Sequence, residues 1–366
     1  PTYEWSEDNS TVTATRICEN DASHKETETV ETVYSIKTEA THETAGIGVY
    51  TAKFENEAFE DQTIEVVIDR IMPYFRGHQL LLSGQIGVKF GVVVPDDFNP
   101  DGSYMEFEVC GDTVIQNTSD LTASAMADGG KRYYFTCYVN SVQMADEIKA
   151  VFHYGDSETL EQTYSVKQYL SYFDDHESEY DPTTLALIRA IADYGHYAQP
   201  YLSRTNNWTI GVDHQEMDKY YTESYDIDSI KDEVAGYRFI KSFGDSKVTN
   251  AGYKLHLDSE TVLTVYIYPE NGTEVTASCT FNGKTYYADK LSDERYAIQI
   301  SNIAASLLGQ TITINGDADG EFTITVSALS YARSVLNNDS YDAEAKNTLA
   351  ALYKYYDAVV AYRGSH

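Results

Sequence analysis

The chain carries one pattern twice, which restricts its fold to two copies of a single unit plus whatever lies outside them. Gly77-His-Gln-Leu-Leu-Leu parallels Gly252-Tyr-Lys-Leu-His-Leu, and Lys131-Arg-Tyr-Tyr-Phe parallels Glu294-Arg-Tyr-Ala-Ile. Tyr164-Ser-Val-Lys-Gln-Tyr parallels Val326-Ser-Ala-Leu-Ser-Tyr. The offset falls from 175 at Gly77 and Gly252 to 162 at Tyr164 and Val326, as expected when loops change length and the framework does not. A length of 366 residues leaves room for two to three domains at about 150 residues each.

Each copy opens with the period-two alternation of half-buried strands. Leu80, Leu82, Ile86, Val88 and Phe90, then Met105, Phe107 and Val109, alternate in the first copy; Leu255, Leu257, Leu263, Val265 and Ile267 do so in the second. Turns such as Pro100-Asp-Gly and Glu270-Asn-Gly separate the runs and favour an antiparallel sandwich. Each copy closes in helices. Asp181-Pro182 is an N-cap followed by a first-turn proline, after which Leu187, Ile188, Ile191, Tyr194, Ala198 and Tyr201 recur at helical spacing. The matching helix starts near Asp342 and presents Leu349, Leu352, Tyr355, Val359 and Tyr362, and a shorter helix opened by Ser165 or Ser327 precedes each.

The expected fold class is mainly β with helical caps (α+β). It comprises a small all-β module over residues 1–71, a lobe at 72–203, an acidic aromatic connector at 204–236, a second lobe at 237–363 and a tag remnant at 364–366. Strands such as Thr11-Val-Thr-Ala-Thr and Val49-Tyr-Thr-Ala-Lys-Phe mark the first module, with Trp5 expected in its core.

Charge narrows the partners. Lys plus Arg total 26 against 58 Asp plus Glu, a formal charge of −32, with no basic block. Phosphate recognition needs clustered cations, so nucleic acid and anionic membrane are poor partners. The apolar runs, such as Gly91 to Pro95, are too short to span a bilayer, and no leader-like segment precedes Pro1, so no membrane insertion is expected. The 42% hydrophobic content is that of a globular chain.

Its 32 Tyr against 2 Trp are the unusual load. A tyrosine offers a flat apolar face with a hydroxyl at its edge, which suits a sugar ring. The connector and its approach hold the densest set: Tyr201, Trp208, Tyr220, Tyr221 and Tyr225, with Asn206, Asn207, Asp213 and Lys219 interleaved. Tyr286, Tyr287 and Tyr74 are further candidate platforms. The competing reading is core packing, strongest for Tyr194 and Tyr201, whose positions repeat as Tyr355 and Tyr362 on an apolar helix face.

Other chemistries find less support. Cys18, Cys110, Cys137 and Cys279 show no CxxC spacing, so neither a thiolate metal site nor a redox motif is expected. Cys110 and Cys137 lie in strand-like stretches where either a bridge or two buried thiols would fit. Asn315 to Glu321 opens like an EF-hand loop, but Val326 stands where a bidentate Glu is required, so a tight turn is expected, with no metal and no cofactor. No nucleophile elbow, metalloprotease helix or phosphate loop occurs, and the reading is of a non-enzyme.

Tyr3-Glu-Trp5 through His24, then Glu43-Thr-Ala-Gly46 and Tyr50-Thr-Ala-Lys-Phe, resemble a module of secreted surface proteins of gut Firmicutes, in which a second cysteine often stands where this chain has His42. Ala192-Asp-Tyr194-Gly195-His-Tyr-Ala-Gln199 and Ala350-Ala-Leu-Tyr-Lys-Tyr-Tyr resemble the sandwich-plus-helices units of the same secretomes, among them starch adherence system proteins of ruminococcal amylosomes. The resemblance implies an extracellular, secreted or surface-attached protein that binds starch and maltooligosaccharides without hydrolysing them, beside other components of a surface complex, and the repeat leads to the expectation that aromatic platforms form a two-lobed groove for the glucan. The alternative is a surface adhesin or spacer that binds host protein or mucin and no glucan.

Overall fold

The computed structural model describes residues 1–81, 85–206, 224–257 and 260–365, and it is mainly β with helices. Compactness divides the chain into two units: Pro1–Arg76, Gly91–Ser103 and Asn117–Tyr134 form the first, and Gly77–Phe90, Tyr104–Gln116 and Phe135–His366 the second.

Strands β1 (Thr2–Trp5), β2 (Thr11–Cys18), β3 (Asp21–Thr38), β4 (Gly46–Ala52) and β5 (Gln62–Ile68) pair in sequence order into one antiparallel sheet. β3 is long enough to serve two partners: Thr11 to Ile17 of β2 pair with Lys25 to Glu31, and β4 takes Thr32 to Thr38. Val12, Ala14, Ala52 and Phe59 are the sheet's buried apolar residues. Trp5, expected in that core, is only half-buried, while Phe54 packs against both Tyr3 and Phe59 at 5.7 Å.

The next run contains β6 (Tyr74–Leu81), β7 (Gly87–Val94), β8 (Tyr104–Val109), β9 (Asp112–Asn117), β10 (Ser124–Ala125), β11 (Lys131–Tyr138), β12 (Ile148–Tyr154) and β13 (Glu158–Tyr164), then α1 (Val166–Asp175) and α2 (Pro182–Asn206). Its sheets have the orders β10-β11-β7-β6 and β13-β12-β8-β9. Strand alternation supplies the core between them: Phe90 lies 5.4 Å from Phe107, and Phe135 lies 5.5 Å from Phe152.

A short helix α3 (Ile227–Glu233) leads into β14 (Ile240–Ser242), β15 (Val248–Leu257), β16 (Thr261–Pro269), β17 (Thr276–Phe281), β18 (Lys284–Tyr287), β19 (Asp289–Ser292), β20 (Arg295–Ile300), β21 (Ile312–Asp317) and β22 (Glu321–Val326). α4 (Ala328–Leu336) and α5 (Ala343–Ser365) close the chain. The sheets here are β15-β16-β20-β19 and β14-β22-β21-β17-β18. Strand for strand, these orders match those of the preceding run, with β14 as an added edge.

The helix starts follow from their caps. The Ser165 hydroxyl accepts from the Gln168 N–H, and Ser327 and Ser330 satisfy each other's backbone in a capping box. Asp181 accepts from the N–H groups of Thr183 and Thr184 at 2.9 and 3.1 Å ahead of Pro182. α2 and α5 pair antiparallel. Arg204 near the end of α2 reaches Asp342 before α5 at 2.9 Å, Thr183 in the first turn of α2 meets Ser365 at 3.0 Å, and Tyr194 stacks on Tyr355 midway at 5.8 Å. Leu187, Ile191, Leu349, Leu352 and Val359 are buried on their apolar faces, as the helical spacing predicts.

Candidate functional site

The outer face of the sheet β14-β22-β21-β17-β18 is built from the polar half of its strand alternation. Ala277, Cys279, Ile312, Ile314, Phe322 and Ile324 point inward and are buried. Thr276, Ser278, Thr313, Asn315 and Thr323 occupy the alternate positions and face out. Register aligns one row directly across all five strands: Tyr287, Ser278, Asn315, Thr323 and Ser242. At about 4.8 Å between strands this row spans roughly 19 Å.

Tyr287 ends the row on edge strand β18 with 70% of its surface exposed. The hairpin before it explains its position. Asn282 and Gly283 both take positive φ (47° and 76°), the paired left-handed turn that Asn-Gly favours, and this sets Tyr287 beside Ser278. A shallow depression of about 580 Å³ lies over Thr276, Ser278, Asn315 and Thr323, with Asp317 and Glu321 at one end. Thr323 Oγ1 donates to Asn315 Oδ1 at 3.3 Å, which leaves the amide nitrogen as a donor toward solvent. Gly316 allows the packing beneath: a Cβ there would stand 2.3 Å from Phe322 Cζ.

The other candidate tyrosines do not join this face. Tyr286 points to the opposite side of β18, is half-buried, donates to the Ser301 carbonyl at 3.3 Å and carries Lys284 4.9 Å over its ring. Tyr201 is half-buried on α2 near Tyr341 and Asp342, and desolvation raises its hydroxyl pKa. Tyr225 donates to Asp193 Oδ2 at 3.1 Å and packs 5.4 Å from Tyr197, so both its edge and its ring are engaged. Beside it runs a groove between α2, α3 and α5, floored by Ala186, Ala190, Ala358 and Ala361, with the Lys354–Glu233 ion pair on its rim. Tyr74 is 46% exposed and belongs to the first unit. Trp208, Tyr220 and Tyr221 lie outside the described residues, as does Leu82.

No disulfide links the four cysteines: Cys18 and Cys110 are exposed, Cys137 and Cys279 are buried, and the Cys110 thiol donates to Asp146 Oδ2 at 2.6 Å. Residues 315–321 form the β21–β22 hairpin, in which Asp319 takes φ 53° and Ala318 N–H bonds to Gly320 O at 3.0 Å. Among the described residues no group of His, Cys, Asp and Glu is arranged to hold a metal ion, and no helix is long and apolar enough to cross a membrane. Asn315, Thr323 and Ser278 were not among the candidate sugar-binding residues, Asn315 having been considered only as the start of the EF-hand-like turn. The signal was there, because these are the polar positions of alternating stretches, Thr276–Phe281, Ile312–Asp317 and Glu321–Val326, whose apolar residues are buried. Compared with known proteins, the chain matches no family model and no curated sequence.

Proposed function

We propose that the protein binds carbohydrate without acting on it, gripping a starch-like α-1,4-glucan on the outer face of β14-β22-β21-β17-β18 as a secreted or surface-attached component. The observation that carries this reading is Tyr287, an exposed ring at the end of a row of hydroxyl and amide side chains. A sugar has an apolar face and a rim of hydroxyls, so one needs a flat ring and the other needs donors and acceptors. Tyr287 supplies the first, while Ser278, Asn315 and Thr323 supply the second. The carboxylates of Asp317 and Glu321 can accept from hydroxyls and repel anionic glycans, which favours a neutral polymer over an acidic one. A single stack with a few exposed hydrogen bonds gives modest affinity, about millimolar to micromolar, which suits a polymer held at several points.

Affinity electrophoresis through amylopectin gels tests the reading. The parent protein should be retarded and Tyr287→Ala should run ahead of it; a parent that migrates as in a glucan-free gel rejects the proposal.

A further inference from the structure

A cavity lies where the β6–α2 run meets the β15–α5 run, beside the paired helices α2 and α5, and shares no residue with the row described above. The two runs frame it with the same bond: Val139 N–H donates to Ile86 O at 3.0 Å, and Ile303 N–H donates to Thr261 O at 3.1 Å. Its floor is the stacked pair Tyr194 and Tyr355, both deep inside the protein. Leu257, Leu308 and Leu352 add apolar wall.

Its mouth is polar. Gln85, Asn140 and Ser141 come from one run, and Glu260 and Asn302 from the other. Ser141 hydrogen-bonds the Tyr194 hydroxyl. Asn302 holds φ 57°, and its backbone N–H fixes Glu260 Oε2 at 3.1 Å, leaving the second carboxylate oxygen as an acceptor. Among the described residues, no Lys, Arg or His lines the space.

These features select a ligand. The centre of a water molecule can reach about 70 Å³ of the cavity. At roughly 10–15 Å³ per water-sized atom, this accommodates about five or six heavy atoms. Amides, hydroxyls and one carboxylate match a molecule rich in hydroxyls, and leucine walls match its carbon chain. A lone carboxylate with no cation beside it excludes anions.

We propose that this cavity is a binding site for a small neutral polyol of three carbons, held between the two runs. The ligand donates a hydroxyl to Glu260 and accepts from the amides at the mouth, while its carbons lie against Leu257 and Leu352. Because it touches both runs, binding tightens their junction and raises the melting temperature with ligand concentration.

Ligand-observed NMR on the full chain, with glycerol and propane-1,2-diol as probes and glycerate as the anionic control, tests this. Saturable binding with a dissociation constant on the order of millimolar is expected for the two polyols, with none for glycerate. Glu260→Ala should weaken it at least fivefold, and Ala305→Leu, at a lining position, should abolish it. Should Ala305→Leu fail to fold, the half-exposed Glu260→Ala carries the test alone. A signal that never saturates, a dissociation constant unchanged in Glu260→Ala, or glycerate bound as well as glycerol overturns the assignment. Tyr287→Ala should leave this binding unchanged, which separates it from the glucan reading.

Discussion

Replacing Tyr287 with alanine removes the ring on which glucan binding is proposed to rest, at a position where folding has little to lose. Its side chain is 70% exposed on an edge strand, so the change should alter stability by less than about 0.5 kcal/mol. Stacking a sugar on the free face would withdraw about 60 Å² of apolar surface from water, which at about 25 cal/mol per Å² is roughly 1.5 kcal/mol. That converts to a dissociation constant weakened about tenfold. Isothermal titration with maltooligosaccharides reads the change directly, and the amylopectin gel reads it for polymer. Tyr286→Phe is the matched control, because Tyr286 faces the other side of β18 and its hydroxyl serves Ser301. It should leave glucan affinity intact. The reasoning fails if Tyr287→Ala binds as tightly as the parent, or if Tyr286→Phe loses as much.

Burial holds the Tyr194 hydroxyl up to about 12 and raises that of Tyr355, so the folded chain keeps protons that the unfolded chain releases. The stability these residues supply is complete below about pH 10 and is lost as pH rises through about 12, so melting temperature should fall above about pH 10 and Tyr194→Phe should blunt that fall. Burial also pushes the thiols of Cys137 and Cys279 up to about 12 and about 11. An aromatic disulfide reagent should therefore label Cys18 and Cys110 in the native protein, and all four only in denaturant. Gly316→Ala would drive a methyl group into Phe322 and the Thr276 carbonyl, costing about 1–3 kcal/mol and lowering the urea midpoint.

The strand and helix framework was legible because it follows from periodicity and caps. Met105, Phe107 and Val109 are buried where the alternation placed them, and Ser165, Ser327 and Asp181 open the helices they were read to open. The packing of Tyr194 and Tyr355 was legible too, because both lie on apolar helix faces. The candidate site was not. Tyr286 and Tyr287 were taken together, yet neighbours on a strand face opposite sides, so only one can belong to any one face. Nothing local reveals that Ser278, Asn315 and Thr323 stand abreast, because register across three strands is set by hairpins and long-range pairing. The engagement of Tyr225 by Asp193 was likewise invisible, since 32 residues separate them.

The antiparallel pairing of α2 and α5 makes each run finish the other's helix ends, through Arg204 with Asp342 and Thr183 with Ser365. Neither run by itself covers Tyr194 or Tyr355, so each leaves a sticky apolar surface that its covalent neighbour must close. A matching run from a second molecule would close it equally well. Refolding at high concentration should therefore give exchanged dimers with native cores, and two separately produced halves should reassemble into one particle on mixing.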